Sequence, residues 1–446
     1  MHISEREMAI PAPRSDHLLA EVEREVRKRL SPGEVPVRFA VAASDRGRWS
    51  CEVGVIEGDG AHDLGAVQSI FEVRQRPAED TRSFNVVLLV PTGIGSEIGG
   101  HAGDAMPVAA LAASVVDTLV THPNVVNASD IMELPPNALY VEGSVIARMM
   151  TGAVALRRVR ANRVLVVIDR HDLQKYVDAA VNSVSAARVS FGLDVTDVVE
   201  VEPRVRLRSR FTGSGRAVGE VTELDALLDV LDDRRGAYDA VALSTQVEVP
   251  INFHLDYYKA RGAMVNPWGG AEAIFTHAVS SMYDVPTAHS PMLESKEVED
   301  LDAGVVDPRM AAEAISTAFF VCVLKGLQRS PQLVPVAGRP AEDELAAEHV
   351  SALVIPDGAI GVPTLAALEQ GIPVIAVREN RNILHNDLHR LPWRRGQLLV
   401  VDNYWEAVGV LAALRTGIDP SVVRRPIADT RVVIARAREA VAARAS

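Results

Sequence analysis

The chain has 446 residues, 48% of them hydrophobic and 24% charged, a globular composition that excludes a disordered or fibrous protein. At this size a core forms without disulfides or metal, in two or three domains or in one α/β body with an attached lobe. With 46 basic against 59 acidic residues the formal net charge is −13, a field that repels phosphate backbones and anionic lipid, so neither nucleic acid nor a membrane is an expected partner.

Residues 1–15 read as a flexible tail, and the N-terminus MHISEREMAIPAPRSDH lacks the apolar stretch of a signal peptide. The two cysteines, Cys51 and Cys322, form no C-x-x-C pair and no disulfide framework. Both features predict a cytoplasmic protein. Residues 16–84 form an N-terminal helix and strand region: an amphipathic helix at 18–30, then VRFAVAAS, WSCEVGVIE and SIFEVRQR, with FNVVLLV following at 84–90. Those four runs predict a mixed or antiparallel sheet.

From residue 85 the rhythm changes. Apolar strands at 118–120, 164–168, 195–201, 240–243, 353–355, 374–377 and 398–401 alternate with helices at 173–190, 271–282, 309–327, 363–370 and 404–415. The expected class is α/β, with largely parallel sheets covered by helices on both faces, in two Rossmann-like lobes. Residues 85–330 would form one lobe, and 331–446 would complete the second. Polar, glycine- and proline-rich punctuation follows the strands rather than preceding them, which suits a polar-ligand site beyond their carboxyl ends.

The densest signal is LLVPTGIGSEIGGHAGDA at 88–105. Its glycines, Gly93 and Gly95 among them, free backbone N–H groups to face an anion, and Thr92 and Ser96 add hydroxyls. Asp104 reads as a ligand contact or as a helix cap. LVIPDGAIG repeats the pattern and offers Asp357 and Gly358, while RENRN after the next strand offers Asn380. The loop THPNVVNASD holds His122, Asn124, Asn127 and Asp130, which orient substrates and move protons. Glu142 sits between Val141 and Gly143, where an apolar setting would raise its pKa for acid–base work; a salt bridge to Arg148 is the ordinary alternative. His171, His254, His277 and His289 also look like strand-end residues. With Asp104, Glu142 or Asp256 they offer ligands for a divalent metal, but no compact motif decides it, so metal and cofactor stay unknown.

Arg204, Arg206, Arg208 and Arg210 share one face of a strand and demand counter-charges, from internal carboxylates or from a neighbouring subunit. A homo-oligomer is therefore expected. There is no G-x-S-x-G elbow, Walker loop or complete dinucleotide fingerprint.

PTGIG, GG-x-AGDA, THPNVVN, N-x-LYVEG, GG-AEA-x-x-x-H, A-x-x-EN and Y-x-EA-x-GVL occur in this order across residues 85–420. Together they resemble an uncharacterised bacterial, cyanobacterial and plant family known as domain of unknown function 3326. The resemblance implies one enzyme-like module and supplies no reaction. His101 stands where the family pattern has an aromatic, and Ile360–Gly361 where it has Cys-Gly, so this chain has no thiol there.

The residues themselves point to a non-redox enzyme of small-molecule metabolism, of lyase or hydrolase type. Its substrate would be a carboxylate- or phosphate-bearing metabolite, with Glu142 and His122 exchanging protons. Two other readings stay open: a group transferase using a nucleotide or sugar-phosphate donor, and a ligand-binding protein without turnover.

Overall fold

The computed structural model describes residues 1–434 apart from 16, 46, 59–63, 65, 66, 129–131 and 316–318; Asp130 lies outside the described residues. Near the N-terminus the period-two pattern folds as three long antiparallel strands, β1 (His2–Pro11), β2 (Glu34–Ser44) and β3 (Arg48–Glu57). β1 replaces the expected flexible tail. It buries Ile3, Glu5 and Ile10 and pairs with β3 along its whole length, from His2 opposite Glu57 to Pro11 opposite Arg48. The acids that give it the look of a tail have partners inside the fold: Glu5 accepts from Arg38 at 2.9 Å.

The run SIFEVRQR, expected as a strand, is irregular. Ile70 and Phe71 plug the core, with the Phe71 ring edge-on to Phe39 at 5.5 Å, while Arg76 donates to backbone carbonyls of Val350, Gln370 and Gly371. Its apolar residues are buried by a turn rather than by a ladder.

The chain then shuttles between sheets. β4 (Asn85–Leu88), β5 (Thr118–Thr121) and β6 (Ala138–Tyr140) start a six-stranded sheet, and β7 (Val154–Arg157) leaves it for a small antiparallel one. β8 (Arg163–Asp169), β9 (Asp194–Val201), β10 (Arg206–Phe211), β11 (Ala217–Thr222), β12 (Ala240–Glu248) and β13 (Thr287–Met292) return to the sheet of β1–β3. β14 (Gln332–Pro335) and β15 (Glu344–Leu345) flank β7. β16 (Val350–Pro356), β18 (Val374–Val377) and β19 (Leu398–Val401) complete the six-stranded sheet, while β17 (Ile360–Gly361) adds to the edge of β2.

The six-stranded sheet has the order β19-β18-β16-β4-β5-β6 and is parallel throughout. The ten-stranded sheet is mixed. Its order is β17-β2-β3-β1-β11-β10-β12-β8-β9, with β13 on β12; the β9-β8-β12-β13 part is parallel and β17-β2-β3-β1-β11-β10 antiparallel. The α/β class holds, but a largely parallel fold describes only part of the molecule. The division at 330/331 is corrected as well. Strands from 85–140 and from 350–401 share one sheet: the chain leaves it after β6, forms β8–β13 of the other sheet, and returns at β16 beside β4.

The helix Gly269–Tyr283 lies between the sheets, packed on β11 and on the helix Gly143–Met150. It approaches so closely that a Cβ on Gly219 would sit 2.4 Å from the Ala271 Cα. Glycine is therefore required at 219, and the seat it makes carries Glu272, Thr276 and His277 to the junction of the sheets. Within the expected helix at 309–327 the described residues form Pro308–Met310, Ala311–Ile315 and Phe319–Gln328, and 316–318 lie outside the described residues. No single helix among the described residues is long and apolar enough to cross a membrane. The arginine face finds internal counter-charges: Arg206 pairs with Glu223 at 3.0 Å and Arg208 with Glu248 at 2.7 Å, while Arg204 bonds Gln246 at 2.6 Å.

Candidate functional site

A cavity of about 840 Å³ opens between the two sheets. Residues just past β4, β5, β6, β13 and β16 line it, among them Thr92, His122, Glu142, Glu294 and Thr364. The helix Gly269–Tyr283 supplies Glu272, Thr276 and His277, and the antiparallel part of the large sheet adds Arg38 and Arg216.

Glu142 caps the helix Gly143–Met150. Its Oε2 accepts the Ser144 backbone N–H at 2.8 Å and the Ser144 hydroxyl, and its Oε1 lies 3.3 Å from the Thr276 hydroxyl. Nδ1 of His277 faces the same Oε1 at 2.5 Å, a close contact outside good hydrogen-bond alignment. Burial works to raise the Glu142 pKa, but His277 and the Ser144 bonds outweigh it, so the net shift is downward. The expectation of a raised pKa is thereby corrected: the carboxylate is held ionised. Nor does Glu142 meet Arg148, which pairs with Asp284 instead. Glu142 is 4% exposed and His277 14%, so the imidazole is the more accessible member of the pair.

His122 is oriented differently. The Val90 backbone N–H donates to its Nε2 at 3.1 Å, so the neutral ring carries its hydrogen on Nδ1. Burial pushes its pKa down to about 4, with nearby Glu142 acting in the opposite direction. At neutral pH this ring is a fixed hydrogen-bond donor rather than a base.

Arg38 donates to Glu5 at 2.9 Å and to the Thr92 carbonyl at 3.0 Å. Arg216, fully buried, pairs with Glu52, and no protein acceptor meets its Nε among the described residues. Glu272 faces the cavity with Oε2 at 2.9 Å from His289 Nδ1, and His289 Nε2 meets the Thr245 hydroxyl at 2.9 Å. Among the described residues no group of three or more His, Cys, Asp or Glu is arranged to hold a metal ion.

Of the residues singled out in the sequence, the cavity gathers Glu142, His122, Thr92, Asn124 and Asn127, and three of the four candidate metal-binding histidines, His254, His277 and His289. Two of these are partly spent on structure. The Asn124 amide donates to the Val90 and Gly99 carbonyls, and that of Asn127 to the Tyr140 hydroxyl. Gly93, Gly95, Ser96, Asp104, Asp357, Gly358 and Asn380 do not line it. In the glycine loop the acceptor is the protein's own: Asp104 Oδ1 accepts from the N–H groups of Gly99 at 2.8 Å and His101 at 3.3 Å. Gly93 is needed for a different reason, since at φ 78° a Cβ there would sit 2.4 Å from the Ala217 carbonyl oxygen. Asn380 ties this loop down through both backbone groups of Ile98 and through Tyr404. The loop after β16 reaches the cavity through Ala359–Thr364, while the Asp357 and Gly358 carbonyls are bonded by Asn382 and Asn386.

Sequence reasoning left Arg38, Arg216 and Ser144 unmarked, because an arginine inside a strand pattern and a serine behind a helix cap carry no signal of their own. Glu272 did have one, since it falls in the string GGAEAIFTH; His277, in the same string, is marked in the sequence only as a possible metal ligand.

A relative from Synechococcus sp., described as an uncharacterized lipoprotein, is 36% identical over 346 residues, which cover 77% of this chain and 94% of the relative. That description overturns the cytoplasmic expectation, which rested on cysteine usage and on the first residues of the sequence alone. The model of the family described as "Protein of unknown function (DUF3326)" matches residues 85–424, and the chain belongs to that family.

Proposed function

We propose that the chain is a non-redox enzyme of small-molecule metabolism, of lyase or hydrolase type, working on a carboxylate- or phosphate-bearing metabolite in the cavity between the sheets. The observation that carries this reading is the Glu142–His277 pair on the cavity wall. Glu142, ionised and fixed by Ser144, orients the imidazole from 2.5 Å. Nε2 of His277 is then the atom that takes a proton from the substrate or returns one. The division of labour differs from the sequence expectation: His277 moves the proton, Glu142 positions it, and His122 donates a hydrogen bond to a developing negative charge. Arg38, with two of its five donors spent on Glu5 and Thr92, is the cation available to an anionic substrate.

The sheet order supports the same place. Numbered by appearance, the six parallel strands run 3-2-1-4-5-6, a Rossmann-like order whose reversal falls between β4 and β16. Ligands in such sheets bind beyond the carboxyl ends of the strands at that reversal, and the loops after β4 and β16 both reach the cavity. A nucleotide-donor transferase draws less support, since Asp357 and Gly358 do not line the cavity. The relative's description makes a lipid-modified form of this chain the location to test, by fractionating cells that express it.

The test is a thermal-shift screen against inorganic phosphate, sugar phosphates and dicarboxylates, followed by product detection for each binder. A ligand at a hundred times its dissociation constant adds about 2.7 kcal/mol, a visible shift. Glu142→Gln and His277→Gln are expected to keep binding and lose turnover by about 10²-fold or more. Full activity in both variants would remove the pair from the mechanism.

A further inference from the structure

A second line of polar side chains runs away from the cavity, independent of His277. Glu313, on the short helix Ala311–Ile315, is part of the cavity lining. Its Oε2 accepts from the Tyr257 hydroxyl at 2.7 Å, and its Oε1 accepts from the Asn266 amide at 2.9 Å and from the Ala102 N–H at 3.3 Å. The Tyr257 oxygen also lies 2.6 Å from Nδ1 of His101. A phenol has one proton. With that proton directed at an ionised Glu313, the tyrosine oxygen must accept from His101, which fixes the imidazole as the Nδ1–H tautomer and leaves Nε2 free to receive a proton. The charges that act on this ring are Arg309 and then Asp307, a pair joined at 2.9 Å whose side chains are 27% and 19% exposed.

We propose that His101, Tyr257 and Glu313 form a proton path between the Asp307–Arg309 side of the protein and the cavity. The proposal rests on the reading of the cavity as an acid–base site, and it supplies what such a site needs when a bound substrate closes its mouth. One proton crosses per passage. Solvent protonates His101 at Nε2 while Nδ1–H passes to the Tyr257 oxygen, and the tyrosine proton passes to Glu313. The tyrosine ends as it began, the histidine changes tautomer, and the carboxylate becomes a carboxylic acid; once Glu313 has given its proton to the cavity, loss of the Nε2 proton to solvent and reprotonation at Nδ1 reset the relay.

The end group is suited to exchange at neutral pH. Burial raises Glu313 to about 7, with the Tyr257 and Ala102 bonds opposing and the carboxylates of Glu272 and Asp104 adding to the rise; Tyr258 is the remaining titratable neighbour, from the helix Ile251–Lys259. Burial lowers His101 to about 4, so the relay itself stays neutral while it conducts.

The experiment is a pH jump on the full chain, read by time-resolved infrared absorption of the buried carboxyl, whose band is assigned by its loss in Glu313→Gln. His101→Phe leaves every bond to Glu313 in place. It should keep the equilibrium midpoint and slow protonation by at least about tenfold, with imidazole in the buffer restoring part of the rate. A merely structural histidine would leave that rate unmoved. Tyr257→Phe, the second variant, should slow protonation and also raise the midpoint, because the donor to the carboxylate is gone. Unchanged rates in the variants, or no Glu313 band titrating between about pH 5 and 9, would overturn the path. Neither readout needs turnover, so an inert His277→Gln result would remove the acid–base cavity and leave the path standing.

Discussion

The loop after β4 and the wall after β6 stand at the same ends of strands in one sheet and carry the same kinds of residue, yet they use them in opposite ways. In the loop, Asp104 takes two backbone N–H groups, and Asn380 closes over both backbone groups of Ile98. Its polar groups are consumed by the loop itself. On the wall, Ser144 and Val90 fix one end of Glu142 and of His122, while Nε2 of His277 and Nδ1 of His122 meet no protein partner among the described residues. A strand-end loop rich in glycine and short polar residues can be a self-satisfied knot or an open site. The difference lies in whether donors and acceptors balance within it.

The largest effect that would break this comparison is expected at Asn380. Its side chain accepts from Ile98 N–H at 2.9 Å and donates to Ile98 O at 2.8 Å and to Tyr404 at 2.7 Å. Asn380→Leu orphans these buried groups at about 1–3 kcal/mol each, so urea unfolding should show a loss of roughly 3–5 kcal/mol. The tautomers of His122 and His277, read by nitrogen NMR, should not change. A stable variant with disturbed wall histidines would mean that Asn380 belongs to the site after all.

A smaller effect on the other side of the comparison is pH-dependent. His122 titrates at about 4 when folded and near its ordinary value of about 6.5 when unfolded, so over that interval the unfolded chain binds the extra proton. Its contribution is present above about pH 6.5 and is lost as pH falls through about 4, a change of about 3 kcal/mol if the ring acts alone. Asp104 and Glu313, raised to about 7, have the opposite sign: their contribution is complete below the ordinary carboxylate range and is lost as pH rises through 7. His122→Asn keeps an acceptor for the Val90 N–H and should flatten the acid limb alone, leaving the loss above neutrality intact. An unaltered acid limb would mean the ring is not held neutral.

Much of the frame was legible from period and punctuation: the alternation of apolar strands and helices after residue 85, and the clustering of His122 and Glu142 at strand ends. What escaped depends on partners distant in sequence. β1 looks like a charged tail until Arg38 neutralises Glu5. The two sheets interleave because the chain leaves the six-stranded sheet after β6, builds β8–β13 of the large sheet and returns at β16, which no local pattern encodes. Glu142 looked like a carboxyl of raised pKa because its flanks are apolar, and the residue that reverses the shift, His277, lies 135 positions later, on a helix held in place by Gly219. Asp104 could be named as a cap or as a ligand contact. Only the direction of its carboxylate decides that it fills the glycine loop itself.

The smallest predicted effect tests the loop where it looks least finished. Ser96 is 2% exposed, and its hydroxyl has no protein partner among the described residues. A buried hydroxyl without a partner costs free energy, so Ser96→Ala should leave stability unchanged or raise it by up to about 1 kcal/mol. If the loop is the closed knot that Asp104 and Asn380 make of it, the variant binds every cavity ligand as the wild type does. A loss of affinity for one ligand class, with stability intact, would show instead that the Ser96 hydroxyl waits for a partner from outside. The loop and the wall would then be two halves of one site rather than opposites.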